Sequence, residues 1–171
     1  MWRILSFVLV LCVLCAPARA DEPAAGTSAN IARGEYLVAI MECGGCHTTG
    51  ALRGTRLPGH FLAGSEVGFG AGDAVGITAV FPPNLTPDPE TGLGNWTDAQ
   101  ILQALRYGQR PDGRVLSPVM PWPVYGSRLT EADAASIVAY LRSIPPVHYR
   151  VPANFSAGEP PTGPYMIIEG E

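Results

Sequence analysis

The stretch that decides the fold is Cys43-Gly44-Gly45-Cys46-His47, which places two thiols and an imidazole within one short segment. Two cysteines with this C-x-x-C-H spacing can each add across one vinyl group of a single porphyrin. The turn then brings His47 to the iron from one face, and the two glycines keep that turn free of side-chain clash. The motif therefore predicts covalent attachment of one c-type haem through two thioethers.

Three other interpretations of the cysteine pair compete with haem attachment. A zinc site needs four nitrogen or sulfur ligands, which Cys43 and Cys46 do not supply. A thioredoxin-like redox pair follows a strand, whereas an amphipathic helical pattern precedes Cys43. A structural disulfide suits an exported protein but leaves His47 without a role. Haem attachment is the interpretation that uses all three side chains.

The first twenty residues predict a secretory signal peptide. Arg3 gives a positive start, residues 4–14 are an almost unbroken apolar run, and Ala18-Arg19-Ala20 resembles a cleavage signal. An apolar run of this length is too short to span a bilayer comfortably, and an uncleaved anchor is the alternative. Cleavage after residue 20 leaves the motif cysteines as the only two. We therefore expect a periplasmic protein with no stable membrane span.

The charge composition argues against a nucleic-acid partner. The 171 residues contain eleven arginines and no lysine against fifteen acidic residues, for a net charge of −4. Removal of Arg3 and Arg19 with the leader makes that charge −6, whereas phosphate binding needs a basic surface. The chain has 20 glycines and 17 prolines but is 47% hydrophobic, which predicts a few core-forming helices joined by long, turn-rich loops.

Helical periodicity and helix-start signals predict three helices. The first covers residues 31–42 and follows an Asn30 cap. The second begins at a capping box formed by Thr97 and Gln100 and ends at Gly108. The third covers residues 131–143 and follows a cap at Thr130. The segments 44–95 and 109–128 are predicted as loops, with no strand in the first. The predicted division is a signal peptide at 1–20, a flexible start at 21–29, a folded domain at 30–147 and a Pro-rich, extended tail at 148–171.

A second iron ligand is expected in the loop Ser117-Pro118-Val119-Met120-Pro121-Trp122-Pro123. Prolines on both sides of Met120 stiffen the loop and remove backbone donors, so the loop can hold a weak thioether at an iron. The other candidate side chains in the mature chain are His60, His148, Met41 and Met166. Of these, the methionines lie beside the motif or in the tail, and Met120 is the predicted ligand.

The second ring nitrogen of His47 needs a hydrogen-bond acceptor, because such a bond fixes the orientation of a metal-binding ring. A backbone carbonyl within Leu57-Pro58-Gly59 is the predicted acceptor, and a simple turn is the alternative for that segment. The predicted cofactor-binding residues are Cys43, Cys46, His47 and Met120, of which His47 and Met120 would bind the iron.

These motifs resemble the class I c-type cytochromes. The resemblance rests on the C-x-x-C-H motif near the start, on Met120 far downstream in a proline loop, and on the closing helical segment 137–143. More narrowly, the chain is similar to the cytochrome c subunits of periplasmic dehydrogenases for alcohols, sugar acids and aldehydes. That similarity is carried by Arg33-Gly34-Glu35-Tyr36-Leu37, by residues 84–94 with Trp96, and by Met120-Pro121-Trp122.

The resemblance implies a small all-α cytochrome c fold of three or more helices, with long loops wrapped round one covalently bound haem. It also implies that the first and last helices cross at Gly34 against Tyr140, and that His47 and Met120 are the axial ligands. The chain has one C-x-x-C-H motif, whereas the multi-haem dehydrogenase subunits have three.

The implied function is single-electron transfer and not catalysis, because no residue pattern is typical of an acid–base pair or an activated nucleophile. The expected donor is a periplasmic dehydrogenase, and the expected acceptor is an oxidase or another cytochrome. One alternative is a fixed electron-transfer subunit of a dehydrogenase complex. The other is a haem enzyme or gas sensor with an open sixth iron position.

Overall fold

A computed structural model of the chain describes residues 27–73 and 76–167. The predicted signal peptide at 1–20 lies outside the described residues, as do residues 21–26 of the predicted flexible start. The described helices are α1 (Ser28–Ile40), α2 (Cys43–Cys46), α3 (Asp98–Tyr107), α4 (Trp122–Arg128) and α5 (Glu131–Ser143), with a 3₁₀ turn at Ala51–Arg53. Within these ranges, none of the helices has the length and apolarity needed to cross a lipid bilayer.

Helix α1 begins earlier than predicted. The Thr27 hydroxyl oxygen accepts a hydrogen bond from the Asn30 N–H at 3.3 Å, so Thr27 is the N-terminal cap and the predicted Asn30 cap is wrong. Both residue types cap helices well, which is why the pattern alone did not choose between them. The helix therefore includes Ser28 and Ala29, the last two residues of the predicted flexible start.

Helices α1 and α5 make the most extensive contact between elements. Thr130 caps α5 as predicted, with its side chain accepting a backbone N–H of the first turn. A Cβ at Gly34 would lie 2.0 Å from the Ser136 carbonyl oxygen and 2.7 Å from the Tyr140 Cβ. Only glycine allows the two backbones to approach so closely. The structure thereby confirms the predicted crossing of the two helices at Gly34 and Tyr140.

Helix α3 has the predicted capping box and the predicted end. The Thr97 hydroxyl oxygen accepts from the Gln100 N–H, and the Gln100 side-chain oxygen accepts from the Thr97 N–H. Gly108 ends the helix with a φ of 69°.

The main core lies between α1, α3, α5 and two loop positions. Its buried side chains are Leu37, Val38, Leu62, Leu93, Ile101, Ile137, Val138 and Leu141.

Helix α4 lies in the segment 109–128 that was predicted as a loop. Pro121 is its N-cap and Pro123 lies in its first turn, where a missing N–H removes no helical hydrogen bond. The prolines that suggested a loop therefore mark a helix start. A Cβ at Gly126 would lie 2.1 Å from the Arg106 carbonyl oxygen, so α4 packs closely on the end of α3.

A small three-stranded sheet accompanies the helices, and the prediction of no strand within residues 44–95 is wrong. Its strands are β1 (Gly68–Asp73), β2 (Gly76–Val80) and β3 (Tyr165–Ile167), in the order β2-β1-β3. β1 pairs antiparallel with β2 and parallel with β3, with Gly68 opposite Tyr165. The glycines of β1 hid the strand from sequence analysis, because they break the alternation of apolar residues. One of them, Gly70, leaves room for the Tyr165 ring.

The residues after 147 pack on this sheet, and we call residues 147–167 the C-terminal arm. Phe155 is buried with Ala79 and Phe81 in a second apolar cluster, which Val151 and Tyr165 border. The Ala79 N–H donates to the Phe155 carbonyl at 3.0 Å, and the reverse bond is 3.2 Å long. The predicted domain boundary at 147 stays a prediction. Residues beyond 147, such as Phe155, pack on residues of the domain predicted at 30–147.

Candidate haem site

The cysteine pair lies on one helical turn directly after α1. Glu42 precedes the turn with a left-handed backbone (φ 53°, ψ 35°), which redirects the chain out of α1 into α2. The His47 N–H closes the turn by donating to the Cys43 carbonyl at 2.9 Å. The C-x-x-C spacing therefore places both sulfurs on a single short turn that ends at His47.

Both motif cysteines are free thiols. Burial raises the pKa of the Cys43 thiol to about 11, and burial also raises the pKa of Cys46, so both carry their protons at neutral pH. The disulfide alternative is not what the structure shows. Among the described residues, no group of three or more His, Cys, Asp and Glu side chains lies in a position to hold a metal ion.

The His47 side chain is buried, with 6% of the residue exposed. Its Nδ1 lies 2.8 Å from the Pro83 carbonyl oxygen. A carbonyl can only accept, so Nδ1 carries the proton and Nε2 keeps its lone pair. Burial lowers the pKa of His47, against the opposing effect of the bond to Pro83, and the neutral imidazole is favoured. The ring is therefore held in the tautomer that binds a metal through Nε2.

The prediction of an acceptor within 57–59 is wrong, since Pro83 accepts the bond from His47. The Pro58 carbonyl instead lies 3.2 Å from the His60 Nδ1, within a turn that Gly59 makes with a φ of 76°. A backbone carbonyl has no side-chain signature, so only the tertiary fold reveals that Pro83 belongs to the site. The adjacent Pro82-Pro83 pair signals a rigid segment but not its role.

The backbone around His47 is tied to the segment 62–64. The Gly64 N–H donates to the His47 carbonyl at 2.9 Å. The Leu62 N–H donates to the Thr48 hydroxyl at 3.1 Å, and Leu62 is fully buried despite a φ of 60°. The position of His47 is thus fixed through both its main chain and its ring.

Apolar and aromatic side chains surround the cysteine turn. A Cβ at Gly44 would lie 2.7 Å from the Phe61 ring, so that ring covers the turn while 44% of Phe61 stays exposed. Burial raises the pKa of Tyr125 in α4 to about 12, with smaller contributions from Cys43 and Cys46. Tyr125 of α4 is therefore within electrostatic range of the two thiols.

Met120 is half-buried in the last turn before α4. Its N–H donates to the Ser117 carbonyl at 3.1 Å, and its own carbonyl accepts from the Trp122 N–H at 2.7 Å. The alternative ligands have other partners: His60 makes an edge contact with Tyr149, and His148 Nδ1 lies 3.5 Å from Asp88. Of the alternative methionines, Met41 packs against the main core and Met166 lies in β3. The role of Met120 as a ligand stays a prediction.

The donor set of this site fits a covalently attached haem. Two free thiols on one turn match the two vinyl groups of a porphyrin, and the buried His47 offers a neutral Nε2 beside them. The aromatic cover and the high thiol pKa values describe an apolar environment suited to a macrocycle.

Comparison with known proteins gives the class of protein that this fold and site point to. The chain belongs to the cytochrome c family, which it matches over residues 31–145. Membership of this family implies a covalently bound haem c. This finding confirms the resemblance drawn from the motifs and describes the fold as a cytochrome c domain with five helices and a small sheet.

Three of the relatives are named as cytochrome subunits or cytochromes. The fructose dehydrogenase cytochrome subunit of Gluconobacter japonicus is 39% identical over 119 residues, 70% of this chain and 22% of that protein. The alcohol dehydrogenase (quinone) cytochrome c subunit of Gluconobacter oxydans is 32% identical over 147 residues, 85% of this chain and 27% of that protein. A diheme cytochrome c-type protein of Cereibacter sphaeroides is 32% identical over 138 residues, 78% of this chain and 43% of that protein. The chain spans about a quarter of the length of the two dehydrogenase subunits.

Proposed function

We propose that this chain is a periplasmic monohaem c-type cytochrome that transfers single electrons from a dehydrogenase to a downstream acceptor, an oxidase or another cytochrome. One observation carries the proposal. Two free thiols lie on a single turn that ends at a buried His47, whose Nδ1 donates to Pro83 and whose Nε2 keeps its lone pair.

In this proposal Cys43 and Cys46 would form the two thioethers, and His47 and Met120 would bind the iron. A haem held by these residues would supply one-electron exchange, and methionine ligation would favour the ferrous state relative to two histidines. The protein's own residues fix the ring of His47, exclude water from it and hold the methionine segment between prolines. The chain is then a carrier of electrons and not an enzyme.

Substitution of the cysteines tests the attachment. The double variant Cys43→Ala/Cys46→Ala should carry no covalent haem, and each single variant should keep one thioether and a poorly held haem. Haem staining after denaturing gel electrophoresis reads this directly, and intact mass gives the number of haems per chain. Covalent haem retained in the double variant, or more than one haem in the wild type, would contradict the proposal.

Substitution of Met120 tests the carrier against the gas-binding alternative. With sulfur on the iron, the ferric protein should be low-spin and the ferrous protein should bind carbon monoxide poorly. Met120→Ala should open the position, speed carbon monoxide binding and lower the potential, and Met120→His should stay low-spin with a lower potential. His60→Ala and His148→Ala are the controls. A Met120→Ala spectrum like the wild type, with a changed spectrum in a histidine variant, would reassign the ligand.

The alternative of a fixed subunit is favoured by the names of the relatives, several of which are cytochrome subunits of dehydrogenases. Isolation from the native periplasm separates the two. A carrier should elute alone at the size of one chain, whereas a subunit should co-purify with a dehydrogenase in constant ratio.

Recovery of the haem protein in the periplasmic fraction, with its N-terminus at Asp21, would support the predicted export and cleavage.

A further inference from the structure

We propose that the C-terminal arm positions His47, with Asn154 and Phe155 as positioning residues. The inference rests on the proposed function, because it concerns a ligand of the haem. The arm acts on His47 indirectly, through the segment that holds the His47 ring and through the residue that holds its main chain.

The first set of contacts fixes the carbonyl that holds the His47 ring. Pro83 accepts the bond from His47 Nδ1 at 2.8 Å and lies two residues after Phe81. The Phe81 N–H donates to the Asn154 side-chain oxygen at 2.9 Å. The Phe81 ring packs on the Phe155 ring with centroids 6.5 Å apart. The arm therefore anchors the chain just before Pro83 by both a polar and an apolar contact.

The beginning of the arm anchors the chain just after Pro83. The Asn84 side-chain amide donates to the Val147 carbonyl at 2.8 Å, and the Val147 N–H donates to the Thr86 hydroxyl at 3.1 Å. Asn84 and Thr86 are buried, with 2% and 0% of each residue exposed. Pro83 therefore lies between two anchored positions, which restrict the direction of its carbonyl.

The second set of contacts reaches the main chain of His47. The Gly64 N–H donates to the His47 carbonyl, and a Cβ at Gly64 would lie 2.4 Å from Val151 Cγ1. Val151 therefore packs directly on the residue that holds His47. The Ser65 N–H donates to the Pro82 carbonyl at 3.1 Å, which joins the two sets of contacts to each other.

The chemical consequence follows from the bond between His47 and Pro83. A hydrogen bond from Nδ1–H to a carbonyl raises the basicity of the imidazole at Nε2. A more basic ligand stabilises ferric iron and lowers the reduction potential. If the arm loosens, the Pro83 carbonyl moves and the bond weakens. The reduction potential should then rise.

Substitutions in the arm of the full-length, haem-loaded protein test this inference. Asn154→Ala removes the acceptor for the Phe81 N–H, and Phe155→Leu weakens the ring contact. Asn154→Asp keeps an acceptor oxygen, and its added negative charge acts in the opposite direction on the potential. Met166→Ala is the matched control, because Met166 lies in the same arm but 41% of it is exposed.

The midpoint potential at neutral pH is the measurement that separates positioning from mere stabilisation. Asn154→Ala and Phe155→Leu should shift the potential upward, and Asn154→Asp and Met166→Ala should not. The NMR signal of the His47 Nδ1 proton should also exchange faster with solvent in the first two variants. If Phe155→Leu is not produced as a folded protein, the comparison of Asn154→Ala with Asn154→Asp tests the inference, because residue 154 is exposed and tolerates substitution better.

Two results would overturn the inference, and they differ from each other. Variants that unfold more easily but keep the wild-type potential and Nδ1 exchange would show a structural strap only, while the haem assignment stands. A wild-type protein without covalent haem on a stained denaturing gel would remove the proposed function, and the inference would fall with it.

Discussion

Glu42 and Leu62 hold left-handed backbone conformations on the two sides of the cysteine turn, with φ values of 53° and 60°. Such a conformation costs about 1–2 kcal/mol for a residue with a Cβ. Leu62 is held by its full burial and by a hydrogen bond from its N–H to Thr48. Glu42 has no such packing, since 72% of its side chain is exposed. Strain at the site is therefore stored at an exposed residue that can be changed.

Glu42→Gly should be more stable than Glu42→Ala by about 1 kcal/mol, because only the glycine relieves the strained φ. Both variants lose the 3.8 Å ion pair between Glu42 and Arg56, in which both side chains are more than half exposed. That loss is therefore small and equal in the two variants, and it does not affect their difference in stability. Guanidinium unfolding of the two haem-loaded variants measures the difference. Equal stability would mean that the left-handed conformation of Glu42 costs nothing.

The turn at residues 110–113, earlier in the same segment as Met120, contains an aspartate whose negative charge is stabilised by two arginines. Asp112 accepts hydrogen bonds from the side chain of Arg114 and from Arg110, and these contacts lower its pKa from 3.8 to about 2. A lowered pKa means that the folded state favours the ionised form. The stability from Asp112 is complete above its ordinary pKa and is lost as the pH falls toward about 2.

Asp112→Asn should accordingly destabilise the protein at neutral pH and have less effect as the pH falls. The thermal midpoints of wild type and variant, measured between about pH 6 and about pH 2, should converge below about pH 4. A gap between the two curves that stays constant down to the lowest pH would show that the carboxylate charge is not what stabilises the turn.

At the scale of helices, the crossing of α1 and α5 depends on one glycine. Gly34→Ala would place a Cβ 2.0 Å from a backbone oxygen, which cannot move like the end of a side chain. We expect the free energy of unfolding to fall by about 3 kcal/mol or more. The fall outweighs the gain of about 1 kcal/mol that alanine gives over glycine within a helix. Gly45→Ala is the control, because its nearest neighbour would lie 3.6 Å away. Chemical unfolding compares them, and similar losses would contradict the close approach.

Helices with strong local signals could be predicted from the sequence, and elements that depend on distant partners could not. The capping box of Thr97 and Gln100 and the cap of α5 at Thr130 are local hydrogen bonds, so their residues reveal them. Strand β1 exists because the distant arm and β2 pair with its glycines. The apolar pattern that would have marked it is absent.

The site shows the same division. Cys43, Cys46 and His47 are adjacent in sequence, so their chemistry is visible as a motif. Pro83 contributes only a main-chain oxygen from 36 residues away, and its place beside His47 is set by tertiary contacts. Sequence reasoning could name the need for an acceptor but not its position.

At the scale of the whole molecule, the positive charges are largely neutralised. Seven of the nine arginines in the described ranges lie within 3.8 Å of a carboxylate.

Exposed apolar side chains follow the cysteine motif in sequence and flank Met120. They are Leu57, Phe61, Val115, Val119 and Val124. A partner that docks over these side chains would meet apolar surface. Electron-transfer partners commonly meet over small, weak interfaces of this kind.

We therefore expect the rate of electron exchange with its partner to change little with ionic strength. Raising the salt from about 0.01 M to about 1 M shortens the Debye length from about 30 Å to about 3 Å. Stopped-flow rates over that range should vary by no more than about threefold if apolar contacts dominate. A steep fall would point to a basic partner. A steep rise would mean that two like-charged surfaces meet, against the expectation.

The parallel pairing of β1 with β3 also dictates the order in which the molecule can assemble. Gly68 and Tyr165 are partners 97 positions apart, so the sheet closes one of the longest loops in the chain. Contacts of such high sequence separation form slowly, and synthesis releases the N-terminal part first. The turn with Cys43 and Cys46 depends on hydrogen bonds between residues close in sequence, so we expect it to form before the sheet closes. Closure of the sheet by the C-terminal arm should therefore be among the last steps of folding.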